Sequence, residues 1–255
     1  MRARVQLSMR TLLIATLVLS VGLSVRAQSN EGALASALHR AAESAAAYQQ
    51  STPNFTCDER IRSELRKGKK VKSRVDTTGS FRVIRTADLP TESRHIVTAN
   101  GKPTEEGDRI NLPAMMIGGF GNGLPVYFGA SRQACFLYSL SAGRIDFEAL
   151  PDVPKRPDCN GVAPQARGFA LFDATGAITH IERRVPDAIA VSTNYASFTA
   201  LDYAPVTMNG RVFTLPFHVW SEIPRGNMVG TFDAHYSACR LYTGTITLGP
   251  ANAIP

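Results

Sequence analysis

Residues 55–65 read Phe55-Thr56-Cys57-Asp58-Glu59-Arg60-Ile61-Arg62-Ser63-Glu64-Leu65. Phe55, Cys57, Ile61 and Leu65 occupy odd positions, while Thr56, Asp58, Arg60, Arg62 and Glu64 occupy the even ones. A period of two is the mark of a β-strand, because successive side chains leave on opposite faces. Here one face is dry and the other wet. Lys67-Gly68-Lys69 turns the chain into Val71–Val75, and Ser80–Arg85 follows with Phe81 and Val83.

The same pattern continues downstream. Arg94–Thr98 runs into Asn100-Gly101, a dipeptide suited to a tight hairpin turn. Gly168–Asp173 and Ile178–Val185 flank Ala174-Thr175-Gly176, and Phe198–Val206 and Arg211–Glu222 flank Asn209-Gly210. Met228–Tyr236 and Arg240–Leu248 close the chain. Connections this short join antiparallel neighbours, since parallel strands need long crossovers. The expected fold is therefore mainly β, with a helix added at the start.

That helix is predicted over Asn30–Gln50, where Leu34, Leu38, Ala41, Ala45 and Tyr48 form one apolar stripe. Ser29 or Asn30 can cap it and Pro53 ends it. A stripe of small and medium side chains suits close packing on a sheet. The middle of the chain differs. Leu112 to Tyr138 holds Met115, Met116 and the glycine-rich run Gly118 to Gly123, with no clean period, and reads as a mobile covering segment with short helical pieces.

Before the helix, Arg2, Arg4 and Arg10 precede an apolar run from Thr11 to Leu23. Its 13 residues suit the apolar core of a signal peptide and are too short to span about 30 Å of hydrocarbon. Val25-Arg26-Ala27 places cleavage between Ala27 and Gln28, leaving one domain over residues 28–255, periplasmic or secreted and not membrane-spanning. The full chain carries 28 basic and 21 acidic residues. Arg2, Arg4, Arg10 and Arg26 leave with the signal, so 24 basic residues against 21 acidic give +3. That mild charge makes no case for a nucleic-acid partner. Arg66, Lys67, Lys69, Lys70 and Lys72 read as a solvated hairpin tip.

Four cysteines follow the signal. Four allow three pairings, and in an oxidising compartment two disulfides are expected. The preferred pairing joins Cys135 to Cys159 across the Pro- and Gly-bearing loop Leu150 to Gly161, leaving Cys57 for Cys239. Catalytic signatures are missing: the chain has no G-x-S-x-G, no H-E-x-x-H and no phosphate loop. Of the histidines, His218 and His235 could meet on adjacent strands near Asp233, but the sequence alone assembles no metal site and implies no cofactor. Asn54-Phe55-Thr56 matches a glycosylation acceptor, which matters only in a eukaryotic secretory pathway.

Several stretches together resemble a known family. They are Pro53 to Cys57, Ala99 to Pro103, Gly168 to Gly176 with Ile181 to Pro186, and Leu201 to Val206 leading through Asn209-Gly210 to Leu215-Pro216. In this order they resemble secreted bacterial proteins of the lipoprotein-localisation (LolA/LolB-like) half-barrel superfamily, in an uncharacterised branch. The resemblance implies a curved antiparallel sheet that stays open, with helical segments covering its concave face. It also implies a hollow for acyl chains or lipidated molecules. The expected function is non-catalytic binding of such an apolar ligand. Its candidate lining is Phe81, Val83, Met115, Met116, Phe120, Tyr127, Phe128, Phe213, Leu215, Phe217 and Val219, with Phe213, Leu215, Phe217 and Val219 on one face of one strand. The alternative is a cell-envelope protein–protein module that works through sheet edges or an exposed Trp220 face. An open hollow favours the first and a filled one the second.

Overall fold

The protein is described by a computed structural model covering residues 31–85, 90–105, 108–116, 119–141, 143–193 and 195–242, with backbone only for 119–122. The expected signal segment and cleavage position, the expected capping residues Ser29 and Asn30, and residues 243–248 of the expected last strand lie outside it.

The alternating stretches form strands. These are β1 (Phe55–Lys67), β2 (Lys70–Arg85), β3 (Pro90–Ala99), β4 (Lys102–Pro103), β5 (Phe136–Ser141), β6 (Arg144–Ala149), β7 (Arg167–Phe172), β8 (Ile178–Arg184), β9 (Phe198–Met208), β10 (Arg211–Arg225) and β11 (Met228–Leu241). Helix α1 covers 31–51, α2 is Gly119–Phe128 and α3 is Asp187–Thr193. All eleven described strands belong to one antiparallel sheet, ordered β4-β3-β2-β1-β11-β10-β9-β8-β7-β6-β5. Strands consecutive in sequence pair with each other, except β4 and β5, and β1 pairs in addition with β11, which joins the first strand to the last in the middle of the sheet. The ring stays open between β4 and β5, and the segment that carries α2 connects these two edges. This is an open half-barrel.

Local chemistry explains the turns. Asn100 and Gly101 have φ of 49° and 76°, and Asn209 and Gly210 have 47° and 75°. Both are tight hairpin turns that need left-handed backbone at two successive residues. Helix α1 buries Ala37, Ala41 and Ala45, whose small side chains let it approach closely. The disulfides join Cys57 to Cys239 across the β1–β11 seam and Cys135 to Cys159 beside β5.

Several expectations are corrected. Val71–Val75 and Ser80–Arg85 belong to one strand, β2. Arg240 and Leu241 do not start a new strand; they continue β11 beyond Ala238, whose φ of 47° marks a bulge. The covering segment ends at Cys135, because Phe136–Tyr138 opens β5. The supposed face of β10 is broken: the register shifts between Pro216 and His218, so Phe217 turns outward and is 43% exposed while Phe213, Leu215 and Val219 stay buried. Trp220 is half-buried, not exposed.

Candidate functional site

The dry row of β1 contains two polar residues, Glu59 and Ser63, and both are buried. Arg94 on β3 donates from Nε to Glu59 Oε1 at 2.9 Å, with side chains 12% and 3% exposed respectively. The guanidinium carbon lies 4.8 Å from the centre of the Phe81 ring and 5.5 Å from that of Phe232, and Arg94 also reaches the Tyr236 hydroxyl. Burial pushes the Glu59 carboxyl above its ordinary value, and Arg94 opposes that shift. The pair is a buried charge held between rings, whose loss on one side only would leave the other uncompensated.

Ser63 anchors the covering segment. Its hydroxyl donates to the Ala114 carbonyl at 2.7 Å and accepts from the Ala114 amide at 2.8 Å. Ala114 presses on β11 at Gly230, where an added Cβ would come within 2.8 Å of the Ala114 Cβ, so the site needs a glycine. Two residues on, Met116 accepts from the Ser221 hydroxyl of β10. The segment is thus tied to three neighbouring strands, β1, β11 and β10.

At the far end, α2 lays aromatic rings on the sheet. Tyr127 stacks on Phe147 with centroids 4.7 Å apart, and Phe128 meets Phe147 and Phe172 edge-on. The Tyr138 hydroxyl donates to the Tyr127 carbonyl. Burial raises the Tyr127 and Tyr138 hydroxyls well above their ordinary range.

The candidate lining residues therefore do not share one open hollow. Phe81, Val83, Phe128, Phe213, Leu215 and Val219 are core, and Met116 and Tyr127 are partly buried against it. Phe81 belongs to the charged end, whereas Tyr127 and Phe128 belong to the aromatic end. The Phe120 side chain lies outside the description. Met115 is 46% exposed and looks into a different space. That space is a groove of about 780 Å³ at the rim, between β3 and the covering segment, with Ile96, Val97, Ile110, Leu112 and Met115 as its apolar lining. Arg94 and His95 lie along β3, and Glu105 and Asp108 along the facing segment. The edge of β3 pairs with β4 only at Thr98 and Ala99. A second depression, of about 440 Å³, lies over β5–β8, but Arg144, Asp146, Arg167, Glu182 and Arg184 make its lining charged.

Sequence reasoning missed Glu59, Ser63 and Arg94. For the first two the signal existed, since both interrupt an otherwise apolar row. Arg94 offered none. On the convex face, away from the groove, His218, Asp233 and His235 come together, whereas His39 and His95 do not join them. No helix among the described residues is long and apolar enough to cross a membrane.

No protein-family model matches the chain, and no curated protein matches it. Among solved structures it is similar to a domain described as an outer membrane lipoprotein-sorting protein from Vibrio parahaemolyticus. Identity there is 10%, over 82% of this chain and 93% of that one, with a TM-score of 0.46. It is similar to a LolA superfamily protein from Nitrosomonas europaea at 11% identity, over 80% and 93%, with a TM-score of 0.34. A DUF1329 family protein from Desulfovibrio piger matches at 11%, over 82% and 93%, with a TM-score of 0.27.

Proposed function

We propose that residues 28–255 form one exported, non-catalytic binding domain that holds an apolar chain, of a lipid or a lipidated molecule, in the rim groove. The observation that carries this reading is the groove itself. Its volume of about 780 Å³ lies within the range of about 300–1,000 Å³ usual for ligand sites. Apolar side chains from β3 and from the covering segment face each other across it, and Met115 can repack around chains of different shape. His95 at its border suits a polar head. Two disulfides fit an oxidising compartment such as the periplasm.

Native mass spectrometry of residues 28–255, before and after organic extraction, tests the reading. A co-purifying lipid, or uptake of added fatty acid or phospholipid that Met115→Glu with Val97→Glu abolishes, is the expected result. A clean apo mass with no uptake would overturn it. The filled core and the sparsely paired edge of β3 support a second reading, an envelope-protein contact through that edge. That contact would survive the Met115→Glu change and be lost on Thr91→Pro, which alters the β3 edge outside the groove.

A further inference from the structure

The convex face carries a row of polar side chains that the groove does not use. His180, Asp202, His218 and His235 stand opposite one another on β8, β9, β10 and β11. Asp202 Oδ1 lies 2.6 Å from His180 Nδ1, and Asp202 Oδ2 lies 2.8 Å from His218 Nδ1. An ionised carboxylate only accepts, so both Nδ1 atoms carry protons. His218 Nε2, on the far side of the ring, faces Asp233 Oδ1 at 2.9 Å. His235 Nε2 approaches the same oxygen at 3.3 Å. The two rings stack, with centroids 4.3 Å apart and planes 12° from parallel, so both Nε2 atoms lie beside one carboxylate oxygen.

We propose that His218 Nε2, His235 Nε2 and a carboxylate oxygen of Asp233 form a three-ligand site for a divalent transition ion of the zinc class, with Asp202 positioning His218. One ligand atom from each of the three residues lies within 4.8 Å of the others. Ligands about 2.1 Å from a tetrahedral zinc ion stand about 3.4 Å apart, so the present spacing needs little adjustment. Two imidazoles and one carboxylate select zinc, nickel or copper over calcium and magnesium. The carboxylate behind His218 fixes its tautomer in the way outer partners of metal-binding histidines do, and His180 holds the other oxygen of that carboxylate in turn. The His235 side chain is 59% exposed, so a fourth position faces solvent.

Residues 28–255, prepared without a histidine tag and stripped with chelator, are titrated with Zn²⁺ by calorimetry and with Co²⁺ by visible absorption. One saturable equivalent with a tetrahedral cobalt band is expected. Asp202→Asn should weaken zinc binding about 10–100-fold, the usual cost of losing an outer partner. His235→Gln should weaken it further, while His39→Ala and His95→Ala leave it unchanged. Because His235 is exposed, His235→Gln keeps the fold, which matching circular dichroism of the metal-free proteins verifies. No saturable uptake, or uptake that survives His235→Gln, would overturn the proposal. The outcome is independent of lipid binding.

Discussion

At one end of the concave face, a carboxylate and a guanidinium lie buried between the rings of Phe81 and Phe232. At the other end, Tyr127, Phe128, Phe136 and Phe147 fill the same depth with aromatic packing alone. One sheet thus closes its two ends by different physics. The aromatic end is filled by ring contacts among Tyr127, Phe128, Phe136 and Phe147, whereas the charged end lies beside the rim groove, which Arg94 borders. Each end also has its own disulfide.

The largest expected contrast comes from those disulfides. Cys57 and Cys239 are 182 residues apart and Cys135 and Cys159 are 24 apart. Replacing each pair by serine should cost about 5 and about 3 kcal/mol respectively in urea unfolding, if unfolded-chain entropy dominates. Equal losses would show that local strain, not chain entropy, sets the values.

Single core changes come next. Phe128→Ala should cost about 3–5 kcal/mol through lost burial and a cavity. Arg94→Met should cost about as much, because it leaves the Glu59 charge buried and unpaired. Adding Glu59→Leu to Arg94→Met should return stability to within about 1 kcal/mol of the wild type, since an apolar pair removes the penalty. No second change can rescue Phe128→Ala in that way. If the double variant is as unstable as Arg94→Met, the charged end is limited by volume after all.

Acid and base then separate two buried glutamates. Glu59 is pushed above 4.5 by burial, with Arg94 opposing. Its contribution to stability is full below the ordinary carboxylate range and is lost as pH rises through the raised value. For Glu64, burial also works against ionisation, but Arg66 and Arg74 each donate to it at 2.6 Å and the net shift is downward. Its contribution is full above the ordinary range and is lost as pH falls through the lowered value. Relative to wild type, Glu59→Gln should therefore gain stability as pH rises above 4.5, and Glu64→Gln as pH falls below it. Urea midpoints across that range test both signs. The smallest effect is expected for Tyr138→Phe, about 1 kcal/mol for one hydrogen bond to the Tyr127 carbonyl.

Much of this was legible locally. The alternation in Phe55–Leu65 shows a strand with one dry face, and Glu59 and Ser63, which interrupt that face, were a signal there that went unread. Asn100-Gly101 and Asn209-Gly210 specify their hairpins through backbone conformation, which is a property of those residues themselves. Phe217 was misread because it is the extra residue of a bulge and leaves the face that Leu215 and Val219 keep, and nothing in Pro216-Phe217-His218 announces the bulge. β5 escaped notice because an apolar run such as Phe136-Leu137-Tyr138 shows its alternation only once a partner strand is beside it, whereas β6 alternates plainly at Ile145, Phe147 and Ala149 and was a signal overlooked.

By itself, then, the sequence determined an amphipathic helix, an antiparallel meander and a covering segment, because each follows from periodicity or turn chemistry within a few residues. Tertiary structure alone decided the β1–β11 seam, the pairing of Glu59 with Arg94, the filling of the hollow, the rim groove and the gathering of His180, Asp202, His218, Asp233 and His235. These depend on register between strands far apart in the chain, and register is settled by the packing of the whole sheet.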